Sequence, residues 1–187
     1  MTLKEMKVKV LGLIEELNPG SELLTDDPDI STKINDVTNQ IMFELARMKK
    51  IPKYVEMIVK EGDTIDFAKI EEKCGYEIYQ ISLVCGVGCK FKADGTVIKV
   101  MEDGVAEIDC YVYPERITDK TKDKAYEFEL SPDALEVMVY GVAAHLLLSD
   151  VSADYGKHYL DVYERMLQRL DPRYQMNSIY IEGGVTV

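Results

Sequence analysis

Four groups of residues in this chain are of types that do chemistry: thiols, histidines, a run of carboxylates and a glycine pair. Cys85 and Cys89 are spaced C-x3-C, with Cys74 and Cys110 apart from them. Zinc sites draw thiolates and imidazoles from close pairs of pairs. The two histidines, His145 and His158, lie far along the chain from the cysteine pair. The cysteines therefore read as structural thiols, which pack as small apolar side chains. His145 falls in an apolar run, where a lone imidazole is more often a hydrogen-bonded core or interface residue than a base. His158 falls on a polar helix face.

Gly86-Val87-Gly88 follows a β-prone run. A dinucleotide fingerprint would need a third glycine and then a helix. Here Cys89-Lys90-Phe91 leads into another strand, so a turn or bulge is expected. Asp26-Asp27-Pro28-Asp29 is acidic enough to suggest calcium. A calcium loop needs Gly at its sixth position and Glu at its twelfth. Counted from Asp27 those positions hold Thr32 and Thr38, and a helix start dressed with favourable carboxylates explains the cluster better. No Ser or Cys stands in a nucleophile motif such as G-x-S-x-G. Paired carboxylates of the glycosidase kind are a matter of spatial distance, which sequence does not give. The expectation is a chain with no catalytic, cofactor-binding or metal-binding residues.

Composition narrows the partners. The 187 residues carry 22 Lys plus Arg against 34 Asp plus Glu, a formal net charge of −12. Duplex DNA and anionic membranes are bound through cationic side chains, so specific nucleic-acid binding and membrane binding are both disfavoured. No apolar run reaches membrane-spanning length, and no export signal is visible at the N-terminus. Thiols without an export signal fit a cytoplasmic origin. The 12 tyrosines admit two readings, amphipathic packing or use at an interface.

The elements that would position these residues come in three blocks. Thr2 and Glu5 form a capping box ahead of Leu3, Met6, Val10, Leu13, Ile14 and Leu17, which predicts a helix over 2–17. Asp27-Pro28 starts a second helix whose stripe is Ile30, Ile34, Val37, Ile41, Leu45 and Met48, ended by Pro52. From 54 to 130 the pattern becomes that of short strands: 54–60, 76–85, 90–92, 96–101, 105–113 and 126–130. Ser131-Pro132 then opens a third helix, apolar nearly all round, running to about Leu148. A fourth helix, from about Ser152 to Asp171-Pro172, carries Tyr155, Tyr159, Val162, Tyr163, Met166 and Leu170 as its stripe. The last stretch, 177–187, is apolar and β-prone enough to pair with something.

The fold class expected is therefore α+β. N- and C-terminal helices (1–52 and 131–172) would form an antiparallel bundle, with an antiparallel β-sandwich or partial barrel (53–130) inserted and an extended tail (173–187).

This order of elements resembles the head–tail adaptor, or connector, proteins of tailed bacteriophages and prophages, above all those of the tail-tubular type with a β domain on a helical bundle. The segment Leu135 to Asp171 carries most of the likeness. An apolar helix containing Gly141-Val142-Ala143-Ala144-His145-Leu146-Leu147-Leu148 is followed by an acidic break. Tyr159-Leu160-Asp161-Val162-Tyr163-Glu164-Arg165-Met166-Leu167 then matches the family's Y-x-x-x-Y-E-x-x-L helix. The motif covers about 40 residues, mostly packing residues, and simpler connectors lack so large a β insertion.

The resemblance implies a non-enzymatic virion protein, assembled in the host cytoplasm. It would form a homo-oligomeric ring, in the family typically a dodecamer, that joins portal to tail without a cofactor. Helix three would supply core and protomer contacts through Leu135, Met138, Val142 and His145. Ile179, Tyr180, Ile181, Val185 and Val187 of the tail would dock on a neighbour or the portal. The acidic excess would border a channel through which DNA passes. The rival expectation is a stand-alone bacterial ligand-binding or regulatory domain that uses the β segment, and its mark would be a deep apolar cavity with convergent polar groups.

Overall fold

The capping box at the N-terminus closes from both sides. In the computed structural model, which describes residues 1–91, 97–148 and 153–170, helix α1 spans Leu3–Leu13. The Glu5 N–H donates to the Thr2 hydroxyl at 3.2 Å, and the Thr2 N–H donates to the Glu5 carboxylate at 2.9 Å. The latter bond holds the Glu5 carboxyl below its ordinary value. The helix is shorter than its apolar pattern predicts. It ends before Glu15, whose φ of 61° breaks the run, and Leu17 packs on the core from the following loop.

Helix α2, Pro28–Lys49, begins where expected: the Asp27 carboxylate accepts from the N–H groups of Asp29 and Ile30. Its end differs from expectation. Pro52 does not terminate it; Lys50, with φ of 52°, turns the chain, and Pro52 already lies inside strand β1, Ile51–Val59. A proline is tolerated there because β1 is an edge strand and its missing N–H breaks no second ladder.

The central segment is not all β. After β1 come β2 (Thr64–Asp66), helix α3 (Phe67–Cys74), β3 (Ile78–Cys85), β4 (Cys89–Phe91), β5 (Val97–Val100) and β6 (Gly104–Val112). Eight residues are too few for a helical period to stand out among strands. The end signals are nonetheless present: the Asp66 carboxylate accepts from the Lys69 N–H, and Gly75, at φ of 77°, closes α3 in the left-handed conformation. Residues 126–130 form no strand. Phe128 and Leu130 are buried alternately, but the pairing amounts to a single bridge of Glu127 with Thr2, flanked by backbone hydrogen bonds to Met1 and Leu3.

The strands form two antiparallel three-stranded sheets, ordered β1-β6-β3 and β2-β5-β4. Strand β3 carries two register shifts, at Tyr79 and Ser82, where it has a residue more than β6. Helix α3 packs on β1, β2 and β3 through the fully buried Ile70. The class is α+β, as the sequence predicts.

Helices α4 (Pro132–Leu148) and α5 (Ala153–Leu170) complete the chain's described elements. The all-round apolar surface of α4 is explained within one copy, because α1, α2 and α5 all pack against it. Gly141 marks the closest approach: a Cβ there would stand 2.7 Å from a Tyr163 ring carbon on α5 and 3.0 Å from Ile41 on α2. Aromatic residues join helices to sheet. Tyr79 and Tyr113 lie 4.9 Å apart, Phe43 is 5.0 Å from Tyr113, and the Tyr79 hydroxyl donates to the Ala46 carbonyl at 3.0 Å. Burial pushes the Tyr79 phenol up to about 12. Asn39 ties the loop before α4 to α2 by giving and receiving 2.8 Å hydrogen bonds with the Ile117 backbone. Among the described residues, no helix is long and apolar enough to cross a membrane.

Candidate interaction surfaces

Several of the residues whose types suggest chemistry are taken up by structure. All four cysteines are free thiols, Cys85 exposed and Cys110 buried. Burial pushes the Cys110 thiol up to about 11, so it is not a thiolate at neutral pH. Among the described residues no three His, Cys, Asp or Glu side chains are grouped to hold a metal ion. His145 places Nδ1 2.8 Å from the Gly141 carbonyl oxygen, one turn back on α4, and its ring meets Tyr163 edge-on. His158 is exposed and stands edge-on to Tyr159. Of the acidic cluster, Asp27 caps α2 and Asp29 pairs with Lys33 at 3.1 Å. Gly86 makes the turn after β3 at φ of 82°, where a Cβ would lie 2.2 Å from the Val105 carbonyl oxygen.

Leu135, Met138 and Val142 are buried in the core of their own copy, with His145 half-buried beside them. Ile179, Tyr180, Ile181, Val185 and Val187 lie outside the described residues.

The first surface is the outward face of the β1-β6-β3 sheet. Strand alternation sends Val55, Ile108 and Cys110 inward. It sends Tyr54, Glu56 and Ile58 of β1 outward, beside Val105, Glu107 and Asp109 of β6 and Leu83 and Cys85 of β3. The register places Glu56 directly opposite Glu107, Tyr54 opposite Asp109 and Ile58 opposite Val105. On the far side, Leu83 faces Asp109 and Cys85 faces Glu107. Like charges directly opposed across a ladder destabilise it. The Tyr54 hydroxyl donates to Glu56 at 2.9 Å, and that bond, reinforced by Glu107 and Asp109, raises the phenol to about 12. Among the described residues no Lys or Arg forms an ion pair with these carboxylates. Apolar side chains rim them, and Ile58 is 90% exposed. Sequence alternation identified these strands but not this face, because the Glu56–Glu107 opposition depends on β6 entering between β1 and β3.

Two of the cavities among the described residues lie on the helical side. A polar one of about 290 Å³ sits between α1, α2 and the 118–123 loop, beside the 3.0 Å Lys7–Asp123 ion pair. The Asn35 Oδ1 atom on its lining is buried without a hydrogen-bond partner. The other, an open and largely apolar groove of about 560 Å³, runs between Val8 and Leu13 of α1, Val139 and Tyr140 of α4, and Val162 and Met166 of α5. Neither cavity is lined by a strand residue.

Compared with known proteins, the chain matches no family model, and no curated protein is similar to it in sequence.

Proposed function

We propose that this chain is a structural assembly protein of the head–tail adaptor kind, working in the particle of a tailed phage or prophage through contacts with copies of itself and with portal and tail proteins. The observation that carries the reading is the outward sheet face. Directly opposed carboxylates and an almost fully exposed isoleucine are a cost to the isolated chain. Such a surface suits a function in which another protein covers the apolar rim and supplies the missing cations.

Three further features support it. Helices from both ends of the sequence pack together on α4. Of the functional-looking residues, Asp27 caps a helix, Gly86 makes a turn, Cys110 is buried and His145 bonds to its own helix. The net charge of −12 suits a wall past which DNA moves without adhering. On this reading the protein is not an enzyme, uses no cofactor, and reaches the virion after assembly in the host cytoplasm.

Light scattering and negative-stain microscopy of the purified protein, alone and with the portal protein of the same phage or prophage, test the proposal. Rings, or rings seated on the portal, are the expected result. A chain that stays monomeric and never binds the portal would sink it.

A further inference from the structure

The apolar groove between α1, α4 and α5 has a feature its own chain does not use. Gly12 opens into it, and a Cβ built there meets nothing within 4 Å. Glycine weakens a helix, and here no close approach within the described chain requires it. Removing the side chain leaves room on the α1 wall of a groove whose apolar lining is Val8, Leu13, Val139, Tyr140, Val162 and Met166, with Lys9 and Glu136 beside them.

The chain supplies a candidate for that room. Met166 lines the groove, and α5 ends one turn later at Leu170. The 17 residues that follow Leu170 can extend about 56 Å, against roughly 8 Å for the Val8–Leu13 wall. They carry the apolar run Ile179-Tyr180-Ile181, which suits the apolar walls, while Lys9 and Glu136 of the groove offset each other in charge.

We infer that the groove is the receptor for segment 171–187 of the same copy, with Ile179-Tyr180-Ile181 laid across Gly12. A free copy would thus cover its own apolar groove with its own apolar segment. The inference stands apart from the assembly reading, since it concerns one copy alone.

The chain contains no tryptophan, so Tyr180→Trp in the full-length protein creates a single reporter. The expected result is blue-shifted emission, shielded from acrylamide and unchanged on dilution. Adding Gly12→Leu fills the groove while favouring the helix, and should abolish the blue shift with the far-UV circular dichroism spectrum intact. Emission typical of exposed indole in the single variant would overturn the inference. So would a blue shift that fades on dilution, which would place the segment on a second copy. A blue shift that survives Gly12→Leu would do the same, by placing the segment elsewhere.

Discussion

Replacing Gly141 by alanine should destabilise the protein, although alanine is the better helix former. The new methyl would lie 2.7 and 2.9 Å from two Tyr163 ring carbons and 3.0 Å from Ile41 Cγ2. Comfortable carbon contacts begin near 3.5 Å, so the ring must retreat by roughly 0.8 Å. It is not free to do so, because the Tyr163 hydroxyl donates to Glu44 at 2.8 Å and His145 stands edge-on to the ring. Overpacking a core costs about 1–3 kcal/mol. Loosening the Tyr163–Glu44 bond adds about 1 kcal/mol, and alanine's helix preference returns a similar amount. The net loss expected is about 1–3 kcal/mol, or roughly 2–12 °C in Tm for a chain of this size. Urea denaturation followed by circular dichroism gives the free energy. Repeating it in a Tyr163→Phe background, where the ring has lost its tether to Glu44, should shrink the alanine penalty by about 0.5–1.5 kcal/mol. Equal or greater stability for Gly141→Ala refutes the close-approach argument. The same penalty in both backgrounds refutes the role given to the tether.

Asn39→Leu would strand both the N–H and the carbonyl of Ile117, each bonded to Asn39 at 2.8 Å, and should cost about 2–4 kcal/mol in urea denaturation. Asp133, 2.6 Å from the Lys49 ammonium, has its carboxyl held down to about 2 chiefly by that partner. A depressed carboxyl contributes stability that is present above its ordinary value near 4 and is lost as pH falls toward 2. Acid melts should therefore show the parent losing its advantage over Asp133→Asn across that window, by less than about 1 kcal/mol because the pair is partly solvent-screened. Glu107→Gln relieves the opposition with Glu56 and should raise stability by about 0.2–1 kcal/mol at low salt, with the gain shrinking as salt rises.

The helix starts were legible because capping is local chemistry: Thr2 with Glu5 and Asp27 with Pro28 each act within one turn, and α4 starts at Pro132, where proline suits the first position. Helix ends were less so. Apolar periodicity through Leu17 outran α1, since a side chain can face the core from a loop as well as from a helix. Helix α3 escaped notice because eight residues with one buried anchor give no measurable period, though Asp66 and Gly75 marked both ends. The strand expected over 126–130 failed for the opposite reason: alternation was real, but no neighbouring strand came with it. The outward sheet face could not be read from the sequence at all. Glu56 and Glu107 are 51 residues apart, and only the β1-β6-β3 order brings them opposite.

Mass photometry of the protein mixed with its portal, comparing the parent with Ile58→Glu, tests the central claim most directly. Ile58 is 90% exposed, so the free chain should stay folded, its melting point lowered only slightly by the added charge beside Glu56 and Glu107. The account predicts multi-subunit species for the parent and their loss in the variant. Single copies in both samples, or identical assemblies in both, would contradict it.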